Sequence, residues 1–226
     1  MKNFNQLTKV VAKFYRLKCD KIDVEYKWKI NCTKLPEGIK LNENKSLFHQ
    51  NLNLKHELTK RYNKVEKDKK EIKKVIKYYI SDWGGIHTNS DTTLRSYYEK
   101  SPVDIIKNGK KGIASWSKAL TVVNYREYAI FDARVSVSLN GLILQQLDEN
   151  SRYFPIMPSR NNAIKEFNQK LRLKLNKQDF IDSDIFYQTY LDIIKMVAKE
   201  LNVGIAEIEM CLFAYAEEIA KNSFKK

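Results

Sequence analysis

Phe186, Tyr190, Ile193, Ile194, Val197 and Leu201 recur at the spacing of one helical face, and Ile205, Ile208, Leu212, Tyr215 and Ile219 repeat the pattern. Near the start, Phe4, Leu7, Val10, Val11, Phe14 and Tyr15 share a face over residues 4–18. Over 64–83, Val65, Ile72, Val75, Ile76, Tyr79, Ile80 and Trp83 make another stripe, closed by Gly84-Gly85. Stripes of period 3.6 are buried by packing helix on helix, whereas a half-buried sheet asks for period two. The expectation is a mainly α-helical protein. Its 226 residues are long enough to bury a core as one domain of two lobes.

Shorter helices are expected at 92–99, after Pro102, over 113–123, from Asp132 onward with Val135, Leu139, Leu142, Ile143 and Leu147 inward, and over 161–174. The Asp/Ser-rich "DSD" is expected to cap the helix that carries Phe186. Residues 20–56 are the least regular. "KIDVEYKWKINC" alternates loosely like a strand, and "LNENKSLFHQNLNL" reads as loop with a helical turn at most. A small irregular or β segment near the N-terminus is therefore part of the expected fold.

Charge divides the chain. Residues 1–113 hold 26 Lys and Arg against 13 Asp and Glu, a balance of +13, while the remainder balances at +1. A basic half joined to a neutral half suits a protein that meets a polyanion on one side, and DNA is the expected partner. Lys67, Lys70, Lys74 and Lys77 line one face of the 64–83 element, where they are either a solvated face or phosphate contacts. The expected boundary falls near residue 101, between a basic lobe over 1–101 and a hairpin and helical lobe over 102–226.

No stretch approaches the roughly 20 apolar residues of a membrane span. "MKNFNQLTKVVAKFY" interrupts its apolar residues with Lys and Gln, unlike a secretory leader. Cys19, Cys32 and Cys211 are odd in number and widely spaced, without a disulfide framework or zinc spacing, so a cytoplasmic location is expected. There is no phosphate-binding Gly-x-x-x-x-Gly-Lys-Ser/Thr loop and no dinucleotide turn. His49, His56 and His87 form no zinc pair, and Thr59 and Ser81 sit in no nucleophile elbow. The expectations are no metal, no cofactor, no membrane partner and a monomer.

One constellation remains. "NGKKGIASWSKALTVV" gives a Gly-marked basic turn, Gly109-Lys110-Lys111-Gly112, and then a helix carrying Trp116 and Lys118. "NYREYAIFDARVSVSLNG" returns, and a helix begins at Asp132. Such a turn before a helix N-terminus presents free N–H groups to phosphate. Arg134 stands against the macrodipole two residues into its helix, so a phosphate or Asp132 is expected to hold it.

In this order, the turn, "SWSKAL" and "AIFDARV" resemble the helix-hairpin-helix DNA glycosylases, and among them the bacterial 8-oxoguanine-glycosylase-like proteins, over residues 80–147. The late "EIEMCLFAYA" adds a weaker likeness. The resemblance implies a helix-hairpin-helix fold, excision of a damaged base from DNA in repair, Asp132 as the catalytic carboxylate and Lys118 as the Schiff-base lysine of a lyase. Lys110 and Lys111 compete for the lysine role. A carboxylate stabilises the positive charge that develops on the sugar, and a neutral amine attacks the sugar carbon. An extruded base needs an apolar pocket, for which Trp83, Trp116 and Phe213 are the candidates, with Tyr97 and Tyr98 nearby in sequence. Two other classes stay open: a non-catalytic DNA-binding protein with the same hairpin, and an interaction module of a defence or toxin system.

Overall fold

The computed structural model describes residues 2–65, 67–147 and 151–224. In chain order its helices are α1 (Lys2–Lys18), α2 (Ile22–Glu25), α3 (Leu47–Lys64), α4 (Lys69–Lys77), α5 (Asp91–Glu99), α6 (Pro102–Ile106), α7 (Ile113–Val123), α8 (Ala133–Gln146), α9 (Asn162–Lys174), α10 (Phe186–Leu201), α11 (Ile205–Ala214) and α12 (Ala216–Asn222). The mainly α-helical expectation holds. Many helices start where a short polar side chain satisfies an orphan N–H. Ser46, Asp68, Ser90, Ser101 and Asn161 each accept such a bond, and Pro102 sits in the first turn of α6.

Three expectations are corrected. The loosely alternating 21–32 segment forms no strand. It holds α2 and irregular chain, and the β pairing among the described residues is a lone bridge, Tyr153 to Phe180. The stretch read as loop after Lys45 is instead the 18-residue α3. Its apolar stripe is hidden because Asn51, Lys55 and Thr59, four apart, occupy buried positions between Phe48, Leu54 and Leu58. The 64–83 element starts later, at the Asp68 cap, and ends in a π-helical turn over Tyr78–Trp83.

The last two stripes also differ in detail. The "DSD" residues supply no side-chain cap to α10, whose flanking residue is Ile185. The stripe from Ile205 to Ile219 breaks at Tyr215 into α11 and α12.

The helices pack in two groups. α3 lies on α7 and α4, with α5 and the π turn completing that side. α8 is the centre of the other side, covered by α1, α9, α11 and α12, and α1 also packs along α10. The first helix thus packs among the C-terminal helices, although it belongs to the basic half of the sequence. The α7–α8 connection joins the two groups.

α8 is buried from Val135 to Ile143, including Ser136, Ser138 and Asn140. These polar groups take backbone of the 154–155 segment and of α11 as their partners, so their burial carries no unpaired donor. Ser136 donates to the Pro155 carbonyl at 2.8 Å and Ser138 to Leu212 at 2.6 Å, while Asn140 both donates to and accepts from Phe154 backbone. Gly141 lets α12 approach. A Cβ there would overlap Ile219 and stand 2.7 Å from the Ser223 hydroxyl. Gly141→Ala is therefore expected to lower stability by about 1–3 kcal/mol through overpacking, read as a shifted urea midpoint at unchanged slope.

Candidate active site

The returning chain "YAIF" has no helix to satisfy its backbone, yet Ala129, Ile130 and Phe131 are buried. Buried peptide groups must find partners, and here side chains supply them. Tyr187 and Tyr190 of α10 donate their hydroxyls to the carbonyls of Ala129 and Ile130, both at 2.9 Å. The Phe131 N–H donates to Ser117 Oγ of α7 at 3.1 Å, and that hydroxyl donates to Ile113. Phe131 itself packs among Phe154, Phe186 and Tyr190. The segment is thereby held between α7 and α10, and it delivers Asp132 beside α7.

Asp132 caps α8. Its Oδ1 accepts from the N–H groups of Arg134 at 2.9 Å and Val135 at 3.1 Å. Oδ2 takes no hydrogen bond among the described residues, and the side chain is partly exposed. The carboxylate is fixed by one oxygen and available through the other.

Lys118 lies on α7, one residue past Ser117, and is 4% exposed. Its amine donates to the Ala114 carbonyl at 2.8 Å and takes part in no ion pair among the described residues. Burial pushes its pKa down from the ordinary lysine value. The negative fields of Asp132 and Glu209 oppose that shift, and Lys55 adds to it. The lysine stem lies over Gly84 at the end of the π turn. A Cβ there would meet Lys118 Cε at 2.7 Å and the Ile80 carbonyl at 2.7 Å.

Beneath this pair is a buried ion pair. Lys55 of α3 meets Glu209 of α11 at 2.6 Å, with their side chains 1% and 3% exposed. Desolvation raises the Glu209 pKa, Lys55 counteracts it, and Asp132 reinforces it. Lys55 also sits 5.9 Å from both the Tyr79 and Trp83 rings, and the buried Tyr79 hydroxyl has no hydrogen-bond partner among the described residues. Lys55 and Glu209 were not expected from sequence, and Gly84 was expected only as the stop of its helix. The available signal was one acid, Glu209, in the apolar run of α11, and a lysine at helical spacing from Asn51 and Thr59.

An aromatic wall flanks the charges. Trp83 stacks on Tyr79 at 4.3 Å and donates to Asn51 at 2.7 Å. Trp28 lies 5.7 Å from Trp83 and edge-on to Phe213 at 5.4 Å. Trp83 and Phe213 thus belong to the neighbourhood of Lys55 and Glu209, joined by Trp28, which the sequence did not single out. Trp116 does not join them. It is 1% exposed, T-stacked on Tyr187 at 4.7 Å, and donates to the Lys111 carbonyl at 3.1 Å, so it is a core residue that locks the hairpin. Arg134 is held by Glu217 at 2.7 Å with its guanidinium 5.1 Å from the Phe213 ring, in place of the expected phosphate or Asp132 side chain.

The hairpin turn takes the shape its glycines demand, with φ of +56° at Gly109 and +69° at Gly112. Gly109 is closed against Ser183, whose carbonyl would stand 2.8 Å from an added Cβ. The N–H groups of Gly109, Lys111 and Ile113 are used within the turn, so this stretch is less open to phosphate than the sequence suggested. Lys110 and Lys111 are exposed on it, away from the buried position that Lys118 holds.

Lys70, Lys74 and Lys77 are exposed on α4, while Lys67 lies in the turn before the Asp68 cap. Lys74 is paired with Glu71 at 2.6 Å. Lys69, Lys70, Lys73 and Arg95 line a surface hollow of about 520 Å3 between α4 and α5, which also contains Asp91 and Glu99.

Among the described residues no group of three potential metal ligands comes together, no helix is long and apolar enough to cross a membrane, and the three cysteines are free.

Two stability outcomes follow from these burials. Lys55→Met leaves Glu209 buried without its cation and is expected to cost about 3–5 kcal/mol, whereas adding Glu209→Leu recovers most of that loss in a double-mutant cycle. Lys118 has a folded-state pKa below its unfolded one, so between the two values the unfolded chain binds more protons and stability rises with pH. Lys118→Met is therefore expected to stabilise the protein near neutral pH by about 0.5–2 kcal/mol, with the gain shrinking as pH climbs toward the ordinary lysine pKa. Thermal unfolding across that pH range checks both the sign and the trend.

No protein-family model matches the chain, and no curated protein or solved structure is detectably similar to it.

Proposed function

We propose that the protein is a DNA glycosylase-like enzyme that removes a damaged or modified base of the 8-oxoguanine type, with lyase chemistry through Lys118. The observation that carries this reading is the Lys118 amine, 4% exposed, without an ion-pair partner among the described residues, in the field of a capping carboxylate on the next helix. A lysine is almost never buried in this way without a partner, and a desolvated amine is a nucleophile. The resemblance of the hairpin and of "AIFDARV" to the helix-hairpin-helix glycosylases supports the same assignment.

In this scheme the Lys118 amine turns away from the Ala114 carbonyl and attacks the C1′ carbon of an extruded nucleotide. The bond from C1′ to the base nitrogen breaks, and its electron pair leaves with the base, which takes a proton from solvent. Asp132 offers Oδ2 to the positive charge that develops on the sugar. Loss of a proton from the attached amine and opening of the sugar ring then give the Schiff base. Trp28, Asp132 and Arg134 are partly exposed, and they mark the side from which a nucleotide would approach.

A second reading, a DNA-binding protein without chemistry, draws on the lysine-rich hollow between α4 and α5. It requires salt-dependent binding without base release.

Borohydride trapping on duplexes carrying 8-oxoguanine and other altered bases separates the two. Trapping is expected on at least one lesion, lost with Lys118→Gln and slowed about 100-fold or more with Asp132→Asn at unchanged DNA affinity. Because only the neutral amine attacks, trapping should rise with pH through a midpoint below the ordinary lysine pKa. Absence of trapping and of base release on every lesion, with DNA binding retained, selects the second reading.

A further inference from the structure

The face of α3 turned away from Lys55 lines a groove of about 800 Å3. Its other walls are the Tyr125-Arg126 turn after α7 and the start of α11. The volume is that of sites for small organic ligands. Tyr125 is stacked on His56, with ring centroids 5.8 Å apart and planes 23° from parallel. Arg126 donates from Nε to the Tyr125 hydroxyl at 3.3 Å, and its guanidinium stands 5.7 Å from that ring. A smaller hollow of about 400 Å3 shares His56, Tyr125 and Arg126 and adds Lys60. The two hollows meet at the stacked pair.

The charges of the groove are unevenly committed. Glu207, the acid in its lining, is bound at 2.6 Å to the Gly204 N–H, where it caps α11. His49 is engaged by Asp23 at 2.9 Å and by Ser46 at 3.0 Å. Lys45 and Arg126 have no ion-pair partner among the described residues. The groove therefore combines an aromatic platform, two cations without an ion pair among the described residues and a carboxylate already engaged by a helix N-terminus.

We propose that this groove binds a small aromatic anion of the nucleoside-monophosphate class, its ring laid along Tyr125 and His56 and its phosphate taken by Arg126 and Lys45. Stacking supplies a sequence-tolerant grip on a base, and a charge-assisted guanidinium bond orients the phosphate. The site is separate from Lys118 and Asp132. Lys55 and Asn51 of α3 face that interior cluster, whereas His49, Asn53 and His56 face the groove. The proposal does not depend on glycosylase activity.

Calorimetric titration of the full chain with AMP, UMP, adenosine and inorganic phosphate tests it. The two monophosphates are expected to bind at least about tenfold more tightly than either adenosine or phosphate alone. Arg126→Ala should weaken the monophosphates about tenfold while sparing adenosine, and Tyr125→Ala should weaken both. Thermal unfolding confirms that each variant is folded, and Lys118→Met should bind as the parent does. Absence of monophosphate binding overturns the proposal. So does binding indifferent to both substitutions.

Discussion

Burying an extended segment inside a helical protein creates a debt of peptide groups with no helical partner, and Ala129–Phe131 is such a segment. The carbonyls of Ala129 and Ile130 are met by the hydroxyls of Tyr187 and Tyr190, and the Phe131 N–H by Ser117. Hydroxyls are suited to this because they rotate to fit and add no charge. These bonds tie α7 to α10 through the segment. They also fix where α8 begins, since the next residue is its cap. The relative position of Lys118 and Asp132 follows from that tie rather than from any contact between the two.

The same interior holds Lys55, Glu209 and Lys118 out of water. In a low dielectric a paired charge is tolerated and an unpaired one is not, so the three are treated differently. Lys55 and Glu209 neutralise each other at 2.6 Å. Lys118 has a backbone carbonyl and more distant carboxylates, and burial lowers its pKa from the ordinary lysine value. The π turn contributes by ending at Gly84, which leaves room for the lysine stem where a side chain would collide.

α3 separates two surfaces of different chemistry. Its buried side bears Asn51, Lys55 and Thr59 toward the charged interior, while its outer side bears His49 and His56 along a groove. The basic excess of the N-terminal half lies mainly on α1, α3 and α4, and part of it is spent in ion pairs such as Lys73 with Asp91 and Lys74 with Glu71. Exposed pairs of this kind contribute little to stability and remain free to exchange partners.

By itself the sequence determined the helical class, most helix positions and the cap at Asp132, because periodicity, short polar caps and glycine stops act within a few residues. It failed at α3, whose buried Asn51, Lys55 and Thr59 look polar until their partners across the fold are seen. It also could not separate Trp83 from Trp116. Both are large and apolar, and their different surroundings are set by helices far away in the chain. Tertiary structure decided that Lys118 is buried without an ion pair among the described residues, that Glu209 and Lys55 lie near it, and that Arg134 belongs to Glu217. Desolvation and charge pairing are properties of neighbours in space, so no local pattern of residues could have announced them.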